Sequence, residues 1–281
     1  MSALLVHSAP PALDGTVLTV TPESAGWSYV GFEALRLPAG AVAERVTGER
    51  EVCVVVIGGA VDVTSKHGEW QSVGGRADPW SGPPGAAYLP PGTAFSLTAG
   101  AVGADLGLGW APAPPGGAPA RTLPGGEIEV ETRGHGPLER TIHPILRAER
   151  EAESLLVYEV LTPGGHWSSY PPHKHDRDRP PGETLLEETY YHRVRPARGF
   201  GLQRVYTEDH SLDETLAFGD GDCVLVPRGY HTVSAPPGYD VYYLNVMAGP
   251  TRLWAVANDP DHAWTLDPRG LTQNRPSKAP S

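Results

Sequence analysis

Gly221-Asp-Cys-Val-Leu-Val-Pro227-Arg-Gly229-Tyr-His231 sets a short apolar run between two kinds of punctuation. Gly-Asp opens it and a Pro-x-Gly turn closes it. Such a run is too short for a stable helix and is rich in β-branched residues, so it reads as a strand ending in a tight turn. Cys53-Val-Val-Val-Ile57 and Val241-Tyr-Tyr-Leu-Asn-Val246 have the same character. With Gly 34 and Pro 30 spread among such runs, long helices are excluded and the chain is expected to be all-β, of sandwich or barrel type. The best helix candidate is Ser211-Leu-Asp-Glu-Thr-Leu-Ala217, where Ser211 could cap and Glu214 follows three residues on.

Working outward, the Pro-x-Gly landmark recurs. Leu89-Pro90-Pro91-Gly92-Thr93-Ala94 repeats Val226-Pro227-Arg228-Gly229-Tyr230-His231, and Leu37-Pro38-Ala39-Gly40 repeats Thr162-Pro163-Gly164-Gly165. Glu51 opens a strand 39 residues before Pro90, and Glu188 lies 39 residues before Pro227. Equal intervals between matched landmarks indicate two copies of one β unit. Residues 111–126 are too rich in Pro and Gly for a central strand or a helix and are expected to be a linker or exposed crossover. The expected division is residues 1–115, residues 116–268 and a flexible polar tail, 269–281.

The formal net charge of −11 argues against nucleic acid and anionic membrane surfaces, which both need a basic face. There is no run of 18 uncharged apolar residues, so no membrane span is expected. The opening Met-Ser-Ala-Leu-Leu-Val-His lacks a basic start and a long apolar run, so no signal peptide is expected and the location is read as cytoplasmic. Cys53 and Cys223 sit inside apolar runs and read as buried free thiols.

Six of the eleven histidines fall between His166 and His231. In Pro172-His173-Lys174-His175-Asp176 the two imidazoles are two apart, and on a strand they share a face. A Glu opening a neighbouring strand and His231 after its turn would complete three nitrogens and one carboxylate. That set suits one borderline divalent ion, zinc first, with manganese or iron also fitting, and leaves positions open. Glu187 and Glu188 both qualify; the repeat interval favours Glu188. If Glu188 faces inward, Tyr190 and His192 face inward with it. The first copy has no His-x-His before Glu51, and Ala94 stands in the place of His231, so no metal is expected there.

Short strands, His-x-His, a following Glu and Gly-x5-Pro-x-Gly-x-His resemble the two cupin motifs, with a longer insertion, residues 176–186, before the Glu. The resemblance implies two cupin (jelly-roll β-barrel) domains in tandem, a bicupin. Trp167-Ser-Ser-Tyr-Pro-Pro-His-Lys-His-Asp176, Glu187-Glu-Thr-Tyr-Tyr-His-Arg193, Gln203-Arg-Val-Tyr-Thr207 and Tyr242-Tyr-Leu-Asn-Val-Met-Ala-Gly-Pro250 further resemble the 5-deoxy-glucuronate isomerase family of bacterial myo-inositol catabolism. That resemblance implies an aldose–ketose isomerase converting 5-deoxy-D-glucuronate to 5-dehydro-2-deoxy-D-gluconate, with a sugar-acid substrate and a homo-oligomeric state. Such chemistry needs an acid or base close to the reacting carbons and a fork for the substrate carboxylate. Glu187, Tyr190, His192 and Tyr206 are candidates for the first, with Asp176. Arg204 and Arg228 are candidates for the second, and Arg177 and Arg179 for a lid. Trp167, Trp254 and Trp264 read as packing. A cupin dioxygenase or decarboxylase and a non-catalytic sugar-binding cupin are the competing classes.

Overall fold

A computed structural model describes residues 2–267. The tail expected at residues 269–281 lies outside them. Among the described residues every strand pairing is antiparallel, and the ladders form three sheets.

The first is eight-stranded and built around two long strands, Arg50–Ser65 and Ala94–Pro112. Their shared ladder shifts register between Val56 and Gly58 and again between Gly59 and Val61. Such bulges bend a strand and increase its twist, which lets a single sheet fold around its own core of Val52, Val54, Leu97, Leu106 and Trp110.

The second half has two sheets. A seven-stranded one runs in the order Leu5–Val6, Cys223–Val226, Glu187–Arg195, Asp240–Ala248, Leu156–Thr162, Arg140–Leu146, Glu131–Arg133. A five-stranded one runs Asp213–Phe218, Gly201–Tyr206, Tyr230–Ser234, Trp167–Lys174, Ala257–Asn258. Tyr190, Val205, Phe218, Val226, Val233 and Tyr243 from both sheets share one core. The ladders cross the division expected at residue 115: Leu5 pairs with Val224, and Leu123 pairs with Ala86.

Two expectations are corrected. Residues 211–217 are not helical. Asp213–Phe218 is a strand against Gly201–Tyr206, and Leu216 and Phe218 alternate into the core. A seven-residue segment fits periods of 2 and 3.6 almost equally, and the neighbouring strand decides. The Pro/Gly-rich stretch is not structureless either. Arg121–Leu123 forms a strand at the sheet edge, with Pro119 and Pro124 just beyond its ends, where a missing N–H does no harm. The one α-helix among the described residues, Pro22–Ala25, was not anticipated; Thr21 and Ser24 close it as a capping box. Cys53 and Cys223 are buried free thiols, and burial pushes the Cys53 thiol up to about 12.

The halves meet through an apolar face that joins Phe32, Val55 and Tyr88 to Tyr191, Leu244 and Val246. Gly109 permits this approach, since a Cβ there would sit 2.8 Å from Val246. Two carboxylates lock the same face reciprocally. Glu51 accepts the backbone N–H groups of Glu153, Ser154 and Leu155 at 2.6–2.9 Å. Glu187 accepts those of Ser28, Tyr29 and Val30 at 2.6–3.0 Å. Glu51 is therefore the counterpart of Glu187, not of Glu188 as the equal intervals suggested. The ladders agree: Val52 pairs with Leu89, whereas Glu188 pairs with Val226.

Candidate metal centre

The strand Glu187–Arg195 is buried on both faces. Alternation sends Glu187, Thr189 and Tyr191 toward the first half, and Glu188, Tyr190 and His192 into the second barrel. Two strands of the facing sheet bring histidines to Glu188. Trp167–Lys174 carries His173 and leads directly into His175, while Tyr230–Ser234 carries His231, whose Cα pairs with that of His173. The turn before His231 depends on Gly229 at φ 95°, where a Cβ would lie 2.6 Å from the Tyr206 carbonyl oxygen. Asp176, a candidate acid or base, accepts the Gly229 N–H at 2.8 Å and does not line the cavity, so its carboxylate secures this turn.

The Nδ1 atom of each histidine faces a backbone carbonyl: His175 that of Leu186 at 2.8 Å, His231 that of Gly229 at 3.1 Å, His173 that of Pro171 at 3.3 Å. A carbonyl can only accept, so each Nδ1 carries the proton and each Nε2 is left as a lone-pair donor. Nε2 of His175 and Nε2 of His231 both lie 3.0 Å from Oε2 of Glu188, all three residues being buried. The donor atoms of these three residues lie within 4.8 Å of one another. Two nitrogen lone pairs facing a carboxylate oxygen in a buried space require an electrophile between them, a proton or a metal ion. Backbone-locked tautomers of this kind are the usual support of metal-binding histidines. His173 stands just outside the trio, its ring centroid 4.7 Å from that of His231.

The electrostatics fit the same reading. Burial would raise the Glu188 carboxyl, but His231 and His175 outweigh it and hold it well below the carboxylate range. Burial would lower His175, yet its bond to Glu188 raises it. His173 has no such partner; burial, then the neighbouring His231 and His175, push it down to about 3, so it is neutral at pH 7.

His173 and Glu188 open into a cavity of about 370 Å³, a size ordinary for a small-molecule site. The register of Trp167–Lys174 breaks between Ser168 and His173, and Ser169 has a left-handed φ of 48°. This bulge aims the Ser169 hydroxyl at those of Tyr190 and Tyr243, at 3.1 and 3.2 Å. Burial, and then the Glu188 charge, raise Tyr190 far above the ordinary tyrosine range, so its hydroxyl keeps its proton.

Of the residues put forward for catalysis, Tyr190 lines this cavity. Glu187, His192, Arg204 and Tyr206 do not, and each has a physical reason. Glu187 is on the opposite face, engaged by three backbone N–H groups. His192 lies behind Tyr190, stacked 3.5 Å from Phe218 and bonded through Nε2 to Gln203, and burial pushes it down to about 3. Arg204 pairs in bidentate fashion with Asp213 on an exposed edge. Tyr206 donates to Asp259. The insertion at residues 176–186 does not line the cavity either; Trp254, Val256, Asn258 and Leu266 close that side. Ser169, Tyr243, Asn245, Arg133 and Arg140 were missed. Tyr243 and Asn245, two apart within an otherwise apolar strand, were the available signal.

In the first half the ladder places Val46 against Ala94 where His173 faces His231, and Val52 where Glu188 stands. Among the described residues, no other His, Cys, Asp and Glu side chains form a ligand group.

Two jelly-roll units in tandem, one carrying a buried His/Glu centre beneath a polar cavity, define a bicupin with a single candidate metal site. Residues 4–265 match the KduI/IolB family, and the chain belongs to it. It is 49% identical to the 5-deoxy-glucuronate isomerase of Geobacillus thermodenitrificans, covering 95% of this chain and 97% of that one. With the enzyme of the same name from Bacillus subtilis it shares 42% identity, covering 88% and 92%. The crystal structure of an IolB-like protein from Salmonella typhimurium superimposes with a TM-score of 0.90 at 43% identity, covering 93% of this chain and 98% of that one. A variant of Bacillus subtilis oxalate decarboxylase shares the bicupin fold at a TM-score of 0.62 and 14% identity, covering 92% and 80%.

Proposed function

We propose that this chain is a metal-dependent aldose–ketose isomerase, an intramolecular oxidoreductase that converts 5-deoxy-D-glucuronate to 5-dehydro-2-deoxy-D-gluconate in myo-inositol degradation. The observation that carries the reading is the convergence of backbone-locked histidines on Glu188 at the floor of a hydroxyl-lined cavity. His173, His175, Glu188 and His231 would hold one divalent ion, zinc first, with manganese or iron as alternatives. When bound, the ion supplies electrostatic stabilisation to a charged substrate oxygen and needs no change of redox state. Isomerisation moves a proton between adjacent carbons and redistributes protons on their oxygens. Tyr190, held protonated by its surroundings, donates to a substrate oxygen. Ser169, hydrogen-bonded to both tyrosine hydroxyls, orients the one that donates. The first half is a metal-free scaffold that fixes the strand carrying Glu188. The enzyme works in the cytoplasm as a homo-oligomer, and no helix of the described residues is long and apolar enough to cross a membrane.

The test is anaerobic turnover of 5-deoxy-glucuronate by metal-stripped protein reloaded with each divalent ion in turn. Full activity with zinc alone is expected. A requirement for dioxygen would instead favour a cupin dioxygenase or decarboxylase.

A further inference from the structure

Two arginines share the cavity with His173 and Glu188. They come from adjacent antiparallel strands, Glu131–Arg133 and Arg140–Leu146, and their Cα atoms are directly paired. Like charges opposite one another across a ladder are destabilising unless something neutralises them. Arg133 has its counter-charge: Nε and Nη2 donate to Oε2 of Glu131 at 2.9 and 2.6 Å, and its guanidinium lies 5.9 Å from the Trp254 ring. Arg140 has none. Its one protein acceptor is the Leu138 carbonyl, 3.1 Å from Nη1, and among the described residues no carboxylate pairs with it. Burial and the Arg133 charge both work against its guanidinium. The side chain is only partly exposed, so water does not fully compensate. A guanidinium offers five N–H donors in a planar fork that matches a carboxylate. The arginines put forward from sequence do not serve. Arg204 is taken up by Asp213, Arg228 reaches Ser211 on an exposed surface, and neither lines the cavity.

We propose that Arg140, with Arg133 beside it, is the anchor for the substrate carboxylate and sets the preference for sugar acids over neutral sugars. This rests on the reading of the substrate as a sugar acid, and it goes further by naming the group that recognises the acid. An anion bound here also removes the cross-strand repulsion, so binding and local stability are coupled.

The test compares wild type, Arg140→Gln and Arg140→Lys in their metal-loaded forms. Calorimetry measures binding of two stable probes, D-glucuronate and D-glucose, alongside turnover of 5-deoxy-glucuronate and the melting temperature. Arg140→Gln should weaken glucuronate binding and raise KM by about 10- to 100-fold, the range for a hydrogen bond to a charged group. Glucose binding and metal content should be unchanged, the melting temperature without ligand should rise slightly because neutralising Arg140 relieves its repulsion from Arg133, and glucuronate should no longer raise it further. Arg140→Lys, which keeps the charge without the fork, should fall between. An unchanged ratio of glucuronate to glucose affinity in both variants overturns the proposal. So does a wild type that binds the two probes equally. If Arg140→Gln does not fold, the ratio in Arg140→Lys decides alone. A wild type that fails to isomerise but still needs Arg140 for glucuronate would refute the proposed reaction and leave the carboxylate anchor standing.

Discussion

Glu187 and Glu188 are adjacent and chemically identical, yet one serves the domain interface and the other the cavity. The cause is the two-residue period of a strand that is buried on both sides. Neutralising each should therefore have a different effect. Glu188→Gln removes the negative charge that two imidazoles face, so elemental analysis should find most of the bound ion gone while circular dichroism reports an intact fold. Retention of the full complement of metal would refute the ligand assignment. Tyr190→Phe keeps the buried ring and deletes only the hydroxyl that Ser169 orients. Loss of a positioned acid typically costs 10²- to 10⁴-fold, so kcat should fall by roughly that factor with metal content unchanged. The histidines were legible because His-x-His and Pro-x-Gly-x-His are local patterns. Arg140 was not, because its significance comes from lacking a partner, and only the folded protein shows which groups are within reach.

At the scale of elements, the paired carboxylate clasps tie each half to the other. Glu51 and Glu187 each tie the start of a strand in the other half. The N–H groups they accept lead into Leu156–Thr162 and Gly31–Leu37. Deleting a buried acceptor strands those donors at about 1–3 kcal/mol. Glu51→Ala and Glu187→Ala should thus both lower the urea midpoint of unfolding. Metal titration should separate them, with Glu187→Ala weakening affinity several-fold because it loosens the strand bearing Glu188, and Glu51→Ala leaving affinity unchanged. Equal metal affinities would show that the clasp does not reach the site. Elements were legible from sequence where their punctuation was strong, as at Cys223–Val226. They were misread where a short amphipathic segment borrowed its state from a neighbour, as at Asp213–Phe218.

At the scale of the whole molecule, the halves are joined by a buried ionic cluster. Arg76 from the first half forms two bonds to Glu159 from the second, at 2.7 and 2.8 Å, and His143 and Tyr242 complete the carboxylate's partners. Burial would raise Glu159, but Arg76 outweighs it, helped by His143, and the carboxyl lies below its ordinary value. A depressed carboxyl stabilises the fold above its unfolded value and loses that contribution as pH falls through its folded value. Glu159→Gln, which strands Arg76, should cost about 3–5 kcal/mol at pH 7. The gap from wild type in urea unfolding should narrow as pH falls below about 4.5, where the unfolded carboxyl takes up its proton. A gap that narrows toward pH 8 would contradict this assignment.

What the sequence determined by itself was whatever depends on neighbours along the chain: the β class from short punctuated apolar runs, the duplication from recurring Pro-x-Gly turns, though not from the equal intervals that led to Glu188, and the histidines from their spacing within motifs. Tertiary structure alone decided which of two adjacent glutamates enters the cavity, which strand each half lends to the other, and which arginine is left without a counter-ion. Those outcomes depend on pairing between residues far apart in sequence. Local sequence gives the alternation along a strand, but only the packed partner sheet determines which side is the interior and which groups meet there.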